Sequence, residues 1–301
     1  MLGPTGSGKS DLALAIAAAC RGEIVNYDSV QVYRGLDIGS AKLAASKRQG
    51  IPHHLLDILE LDRDLTAGAF ARLARSVLQE ITTRGGVPVL VGGTGFYLRS
   101  LLDGLSPAPK RDEALRRRLT ELAARRPAAL HRFLRLRDPV AAARIHHNDH
   151  QKLTRAVEIM FLGGQPTSVI QSAPRQAMPG YSVLRLGLAP PRSELYSRIN
   201  SRCSRMFEEG LIEETSAILG CGLLPDAKPL RTLGYRQAVA VLTGSITLEE
   251  AVRDCQTKTR QYAKRQITWF RRERDVHWLT GFGTDTGTQS LAIEIVRRFL
   301  R

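Results

Sequence analysis

The sequence predicts an α/β fold with a parallel sheet at its core, on three observations. A glycine-rich loop, Gly3-Pro4-Thr5-Gly6-Ser7-Gly8-Lys9-Ser10, opens the chain and runs into an apolar helical pattern. Two short apolar runs, residues 23–27 and 87–91, alternate with further helical patterns. Between residues 108 and 180 strand signals vanish and Arg-rich helical segments take over. Alternation of short strands with helices is the signature of a parallel sheet with its crossovers. The expectation is a P-loop NTPase-like parallel sheet core with C-terminal helices, residues 1–107 and 181–301, split by a helical insertion domain at 108–180.

The elements follow in order. Residues 11–19 are Ala-rich and apolar, a helix directly after the glycine loop. A loop of this kind normally follows a buried strand, yet Met1 and Leu2 leave no room for one. In a doubly wound sheet that strand is central and buried on both faces. The expectation is therefore that its neighbours lose hydrogen-bond partners and that the chain as written is impaired or marginally stable. Residues 23–27 form a short strand ending at Asp28. Thr66 suits the N-cap of a helix with an apolar face of Phe70, Leu73, Val77, Leu78 and Ile81, which Gly85-Gly86 ends. Val87-Pro88-Val89-Leu90-Val91 reads as a buried strand with Gly92-Gly93-Thr94-Gly95 at its carboxyl end. In the insertion, Asn148 is a candidate cap for a helix through Leu153, Val157, Ile159 and Met160. Residues 181–188 alternate like a returning strand. Residues 191–209 form one helix and 247–273 a long one, with Thr247 and Glu250 placed for a capping box.

Composition narrows the function. There are 44 Lys and Arg against 29 Asp and Glu, a formal net charge of +15. Such a field attracts polyanions, nucleic acid first, although a merely soluble basic surface would have the same composition. Cys20, Cys203, Cys221 and Cys255 show no C-x-x-C spacing, which fits isolated thiols in a reducing compartment. His146, His147 and His150 have no cysteine partners and sit in a polar, basic stretch, so they read as loop or RNA-facing residues rather than metal ligands. No apolar run reaches transmembrane length and no signal-peptide pattern opens the chain; the expected location is cytoplasmic, with no membrane attachment.

The glycine loop fits G-x-x-x-x-G-K-[ST]. Its glycines let backbone N–H groups approach phosphate oxygens, Lys9 adds a point charge, and the Ser10 hydroxyl suits Mg²⁺. A hydrolysing ATPase wants an Asp at the end of a later apolar strand; here Gly92-Gly93-Thr94-Gly95 stands there instead. The loop thus reads as a cradle for a phosphorylated substrate, nucleotide or diphosphate, that donates a group. Asp28 lies at a strand end, where open α/β sheets build sites, and general base, Mg²⁺ ligand and helix N-cap all remain open for it. Arg198, Arg202 and Arg205 share one helix face, suited to a leaving diphosphate, to RNA or to solvent. The helix at 256–272 mixes Lys and Arg with Tyr262, Trp269 and Phe270, residues for phosphate contact and base stacking, or, for Trp269 at least, for core packing.

Taken together, these motifs resemble the tRNA dimethylallyltransferases, also called tRNA isopentenyltransferases. The resemblance runs through the glycine loop, Asp28-Ser29-Val30-Gln31-Val32-Tyr33, Asp37-Ile38-Gly39-Ser40-Ala41-Lys42, Gly92-Gly93-Thr94-Gly95, residues 138–145, Leu233-Gly234-Tyr235-Arg236-Gln237 and residues 259–266. It implies transfer of a dimethylallyl group from dimethylallyl diphosphate to N6 of adenosine 37 of tRNA, just 3′ of the anticodon, in tRNAs that read codons beginning with U. It implies Asp28 as general base or hydrogen-bond acceptor, Thr94 as a positioning hydroxyl and Arg202 as a diphosphate contact. Residues 5–10 would form the cradle with Mg²⁺, Ser10 being the metal ligand. Asp28, Ser29, Val30, Gln31, Thr94, Arg116, Gln151, Lys152, Leu153, Thr154, Arg155, Arg231, Thr232, Leu233, Gly234, Tyr235 and Arg236 would meet the tRNA, and the enzyme would act as a monomer. Two other readings compete. A P-loop kinase accounts for the glycine loop but not for the basic segments. A non-catalytic RNA-binding protein accounts for the basic segments but leaves the loop idle.

Overall fold

The computed structural model describes residues 1–301. The chain divides into two compact units, Met1–Leu101 with Gly180–Arg301, and Leu102–Pro179. The first unit is α/β, with a small parallel sheet and many helices.

In the first unit α1 (Lys9–Cys20) leads into β1 (Gly22–Asn26), followed by β2 (His53–His54), α2 (Ala67–Thr83), β3 (Val87–Val91) and α3 (Gly95–Leu102). The sheet order is β2-β1-β3, all parallel, with Ile24 opposite Val89 and Asn26 opposite Val91. Parallel strands need covered faces. Leu12, Ile16 and Ala17 of α1 meet Ile24, Val89 and Val91 in one apolar cluster, while Phe70, Leu78 and Ile81 of α2 are buried. Thr66 caps α2 by accepting from Ala69 N–H at 3.2 Å. Leu73, expected on the apolar face, is exposed instead, because it falls at the edge of the buried arc.

After residue 180 come α9 (Arg192–Glu208), α10 (Leu211–Gly220), α11 (Tyr235–Leu242), α12 (Leu248–Phe270) and α13 (Thr286–Phe299), with β4 (Arg185–Leu188) and β5 (Val276–Leu279) pairing in parallel. The returning strand is thus shorter than the alternation over 181–188 suggests, and β5 was not foreseen. Met1 and Leu2 lie between the two sheets. Leu2 N–H donates to Leu186 O at 2.7 Å, Leu188 N–H donates to Leu2 O at 3.0 Å, and the Met1 amine donates to Leu90 O at 2.9 Å. One bridge residue, Leu2, therefore pairs with β4 where a full strand was expected to be missing. A larger cluster gathers α9, α10, α11 and α12 around Tyr33, Leu36, Ile199, Phe207 and Tyr235.

The second unit is helical throughout: α4 (Glu113–Arg125), α5 (Ala129–Arg137), α6 (Pro139–Arg144), α7 (His150–Gly163) and α8 (Thr167–Ser172). Leu119, Leu130, Leu134, Leu153 and Val157 form its core. Asp149, not Asn148, caps α7, accepting from Lys152 N–H at 3.1 Å.

Candidate active site

The glycine loop turns from Leu2 into α1 through Gly6 and Gly8, both at φ +83°. Gly8 is required twice over: its φ is left-handed, and a Cβ there would stand 2.9 Å from Gly283 N. The loop lines a cavity of about 480 Å³ together with Asp28, Gln31, Gly93, Arg198, Arg202, Arg205, Tyr262 and Gln266. The sequence places these residues on five separate segments; the fold brings them to one opening at the carboxyl ends of β1 and β3, where open sheets carry their ligands.

The charge at this opening is cationic and under-compensated. Lys9 Nζ donates to Pro4 O at 2.8 Å and has no carboxylate partner within ion-pair distance. Burial lowers its pKa to about 7; Asp28 pulls it up and Arg202 pushes it further down. Arg202 Nη2 donates to Thr5 Oγ1 at 2.5 Å. Its Nε is buried with no partner, and burial lowers its pKa. Arg198, from the same face of α9, donates to Thr284 Oγ1 at 2.9 Å and lies over the Phe282 ring. A concave site with buried, unpaired donors is built to take an anion.

Asp28 is held in a turn rather than at a helix N-cap. Its N–H donates to Asn26 Oδ1 at 3.0 Å, and its Oδ1 accepts from Val30 N–H at 2.9 Å. Asn26 is buried and donates to Leu55 O at 2.9 Å, so the carboxylate is aimed from a rigid base. Thr94 Oγ1 accepts from Ser29 N–H at 3.0 Å and donates to Ser29 Oγ at 3.1 Å. Asp28 and Thr94, 66 positions apart in the numbering, are thus joined through one residue. Gln31 spends its amide on Ser40 O at 3.1 Å. Val30 packs against the core.

The other residues expected at RNA separate into exposed and structural ones. Gln151, Lys152, Arg231 and Arg236 are exposed, although Arg231 pairs with Asp226 at 3.2 Å and Arg236 with Asp254 at 3.6 Å. Leu153 and Thr154 are buried in the helical core, so their side chains cannot meet RNA. Tyr235 is fully buried and donates to Glu214 Oε1 at 2.5 Å; Gly234 N–H donates to Gln237 Oε1 at 2.9 Å. Both hold the start of α11. Thr232 turns back on Pro229 O at 2.7 Å, and Leu233 is half-buried. Arg116 and Arg155 converge on one carboxylate, the fully buried Glu158, at 3.1 and 2.7 Å. Burial alone would raise the Glu158 pKa, but hydrogen bonds from Arg155 and Asp112 N–H, with both guanidinium charges, hold it below its ordinary value. Of the aromatic trio in α12, Phe270 is core, Trp269 lies under the Arg99 guanidinium, and Tyr262 alone reaches the cavity.

Sequence reasoning did not assign roles to Gln266 or Asn26. For Gln266 a signal existed: it falls in the buried phase of α12 with Thr259, Ala263 and Phe270, and a polar residue in a buried phase needs partners. Asn26, ending an apolar strand, gave none.

The profile of the IPP transferase family matches residues 31–273. The chain belongs to the IPP transferase family. Among relatives, this IPP transferase is 51% identical over 298 residues to the tRNA dimethylallyltransferase of Solibacter usitatus (strain Ellin6076), covering 99% of this chain and 97% of that one. It is 50% identical to that of Koribacter versatilis (strain Ellin345), with the same coverage. Among solved structures, the full-length tRNA isopentenylpyrophosphate transferase of Bacillus halodurans aligns with a TM-score of 0.72 at 36% identity, over 99% of this chain and 93% of that one. A eukaryotic dimethylallyltransferase captured acting on tRNA aligns with a TM-score of 0.85 at 27% identity, over 99% and 78%.

Proposed function

We propose that this IPP transferase moves the dimethylallyl group of dimethylallyl diphosphate onto N6 of adenosine 37 in tRNAs that read codons beginning with U. The observation that carries the reading is the cavity itself. An anion cradle without internal counterions, Lys9 and Arg202, shares one opening with a fixed carboxylate, Asp28. In the reaction the bond between C1 of the allyl group and the diphosphate oxygen breaks, the N6–C1 bond forms, and an N6 proton passes to Asp28. The allylic carbon ionises readily once the leaving diphosphate is stabilised, so preorganised cations matter most. The adenine amine is a weak nucleophile, and its base must leave the stack to present N6. Thr94, tied to Asp28 through Ser29, positions the base.

Magnesium fits this site as a companion of the substrate. The Ser10 hydroxyl is exposed at the first turn of α1 and lines the cavity. No cluster of three acidic, histidine or cysteine groups would make an all-protein site, and Mg²⁺ is commonly held by one or two protein oxygens with substrate phosphates. When bound, the ion supplies positive charge at the diphosphate.

Beyond Asp28 and Thr94 at the adenosine, the exposed Gln151, Lys152, Arg231 and Arg236 are the tRNA contacts this reading retains, and the helical unit is its tRNA-binding domain. On this reading the core is P-loop NTPase-like, which is supported by the Leu2 bridge to β4 and the Met1 amine on Leu90 O, contacts that set the start of the glycine loop between β3 and β4. The enzyme works as a cytoplasmic monomer on this reading.

Incubation with dimethylallyl diphosphate, Mg²⁺ and unmodified tRNA, followed by nucleoside mass spectrometry, should yield N6-dimethylallyladenosine at position 37. Recovery of unmodified adenosine there, or phosphate transfer from ATP to a small acceptor, would refute the assignment.

A further inference from the structure

Gln266 is 5% exposed, lines the cavity, and uses both ends of its amide. Its Oε1 accepts from Thr5 N–H at 2.8 Å, and its Nε2 donates to Gly93 O at 2.9 Å. The reverse amide orientation would set donor against donor and acceptor against acceptor, so the network itself fixes it. Thr5 belongs to the anion cradle and Gly93 to the loop that carries Thr94. One side chain, reaching from α12, therefore spans the two halves of the site. Gly93 is the residue that allows this approach: a Cβ there would lie 2.7 Å from Gln266 Nε2 and 3.0 Å from Asp28 Oδ2. Thr5 is clamped a second time through its hydroxyl by Arg202, and its N–H is spent on Gln266 and is not left for an anion.

We propose that Gln266 is a positioning residue that sets the separation between the leaving-group cradle and the acceptor loop. The inference rests on the transfer reaction proposed above. Each half keeps its own groups without Gln266: Lys9 and Arg202 for the diphosphate, Asp28 and Thr94 for the base. Only their relative placement depends on the amide. Its loss should then slow the joined step, in which C1 must lie in line between N6 and the leaving oxygen, while sparing the affinity for each substrate alone. Misplacement of reacting groups by about 1 Å can cost on the order of 10²-fold in rate.

Gln266→Met keeps the volume and removes both hydrogen bonds. Gln266→Glu keeps the acceptor for Thr5 N–H but sets a carboxylate oxygen against Gly93 O. Single-turnover transfer is measured with both substrates saturating. Binding is measured separately, calorimetrically for a non-hydrolysable thiolo analogue of dimethylallyl diphosphate and by filter retention for tRNA. The expected result is a transfer rate about 10²-fold lower for Gln266→Met and at least 10-fold lower for Gln266→Glu, with each affinity within about 3-fold of wild type. Wild-type rates in both variants would overturn the proposal. So would a loss of analogue affinity as large as the loss of rate, which marks a residue that only shapes the cradle. Should Gln266→Met fail to fold by circular dichroism, Gln266→Glu decides alone by the same two criteria. A wild-type protein that binds both substrates yet transfers nothing would instead sink the proposed reaction, because the comparison between variants starts from its rate.

Discussion

Lys9→Met should abolish diphosphate binding and at the same time stabilise the unliganded protein, most strongly at low pH. In the folded protein burial lowers the Lys9 pKa to about 7 from an ordinary 10.5. The unfolded chain therefore binds more protons between those two values, and the stability of the wild type rises with pH across that window. The cost of holding the ammonium in this half-buried place is fully present below pH 7 and fades as pH approaches 10.5. A difference of about 3.5 pK units corresponds to roughly 5 kcal/mol at its largest. Between pH 6 and pH 9 the wild type should recover about 3 kcal/mol of this relative to the methionine variant. The lost hydrogen bond to Pro4 O offsets about 1 kcal/mol in the variant at every pH, so it does not change the slope. Urea unfolding of both proteins at pH 6, 7, 8 and 9, without ligand, measures the difference directly. A stability difference that stays flat from pH 6 to 9, or a variant less stable than wild type at pH 6, would refute the account of Lys9 as a cation held without its counterion.

Three further outcomes are expected. Asp28→Ala should lower the transfer rate by about 10²–10⁴ while tRNA affinity stays within a few-fold; near-normal turnover would remove Asp28 from the mechanism. Ser10→Ala should raise the Mg²⁺ concentration for half-maximal transfer several-fold with little effect at saturating metal, and an unchanged metal titration would show that the hydroxyl is not a ligand. Glu158→Gln should destabilise the helical unit by about 3 kcal/mol, because it leaves Arg116 and Arg155 without their shared buried anion. Both tryptophans, Trp269 and Trp278, lie in the other unit, so amide hydrogen exchange in α4 and α7 is the suitable readout; unchanged protection there would count against the ion triad as a support.

The elements read best from sequence were those whose pattern is local. Residues 87–91 are a continuous apolar run, and β3 has those bounds because Gly85-Gly86 and Gly92-Gly93 leave no other phase for it. The Thr247–Glu250 capping box marks the start of α12 and is formed as expected. By contrast, β5 is four residues with His277 and Trp278 exposed, and its reason for being a strand is β4, some 90 positions earlier. Asn148 and Asp149 are equally good caps by residue type; the choice between them depends on where Leu153 must point into the core. The same limit applies to the site. The glycine loop, Asp28 and the arginine face of α9 announce themselves by residue type and spacing. That Leu153, Thr154 and Tyr235 serve the core is decided by tertiary packing, which makes a motif residue and a contact residue look alike in one dimension.

Charge is the property that sequence reports most misleadingly, because a count does not say who holds the countercharge. Lys42 and Lys9 make the point. The Lys42 side chain is 4% exposed, with Asp37 and Asp57 carboxylates at 2.6 and 2.5 Å and Tyr33 O at 2.9 Å. Its charge is spent inside the protein, and it ties two loops together. Lys9 donates to one carbonyl and feels Asp28 only from beyond ion-pair distance, beside an arginine whose Nε has no partner. Two half-buried cations this close are unfavourable without an anion between them, since each raises the cost of the other in a low-dielectric site. The arrangement becomes favourable when an anion of two or more charges enters between them. Arg116, Arg155, Arg231 and Arg236 resemble Lys42 in having carboxylates of their own, and a phosphate backbone must compete for them. No carboxylate stands within ion-pair distance of Lys9 or Arg202, and Asp28 acts on them only from farther off, so the strongest anion selectivity of the molecule should reside at the glycine loop, not on its arginine-rich surface.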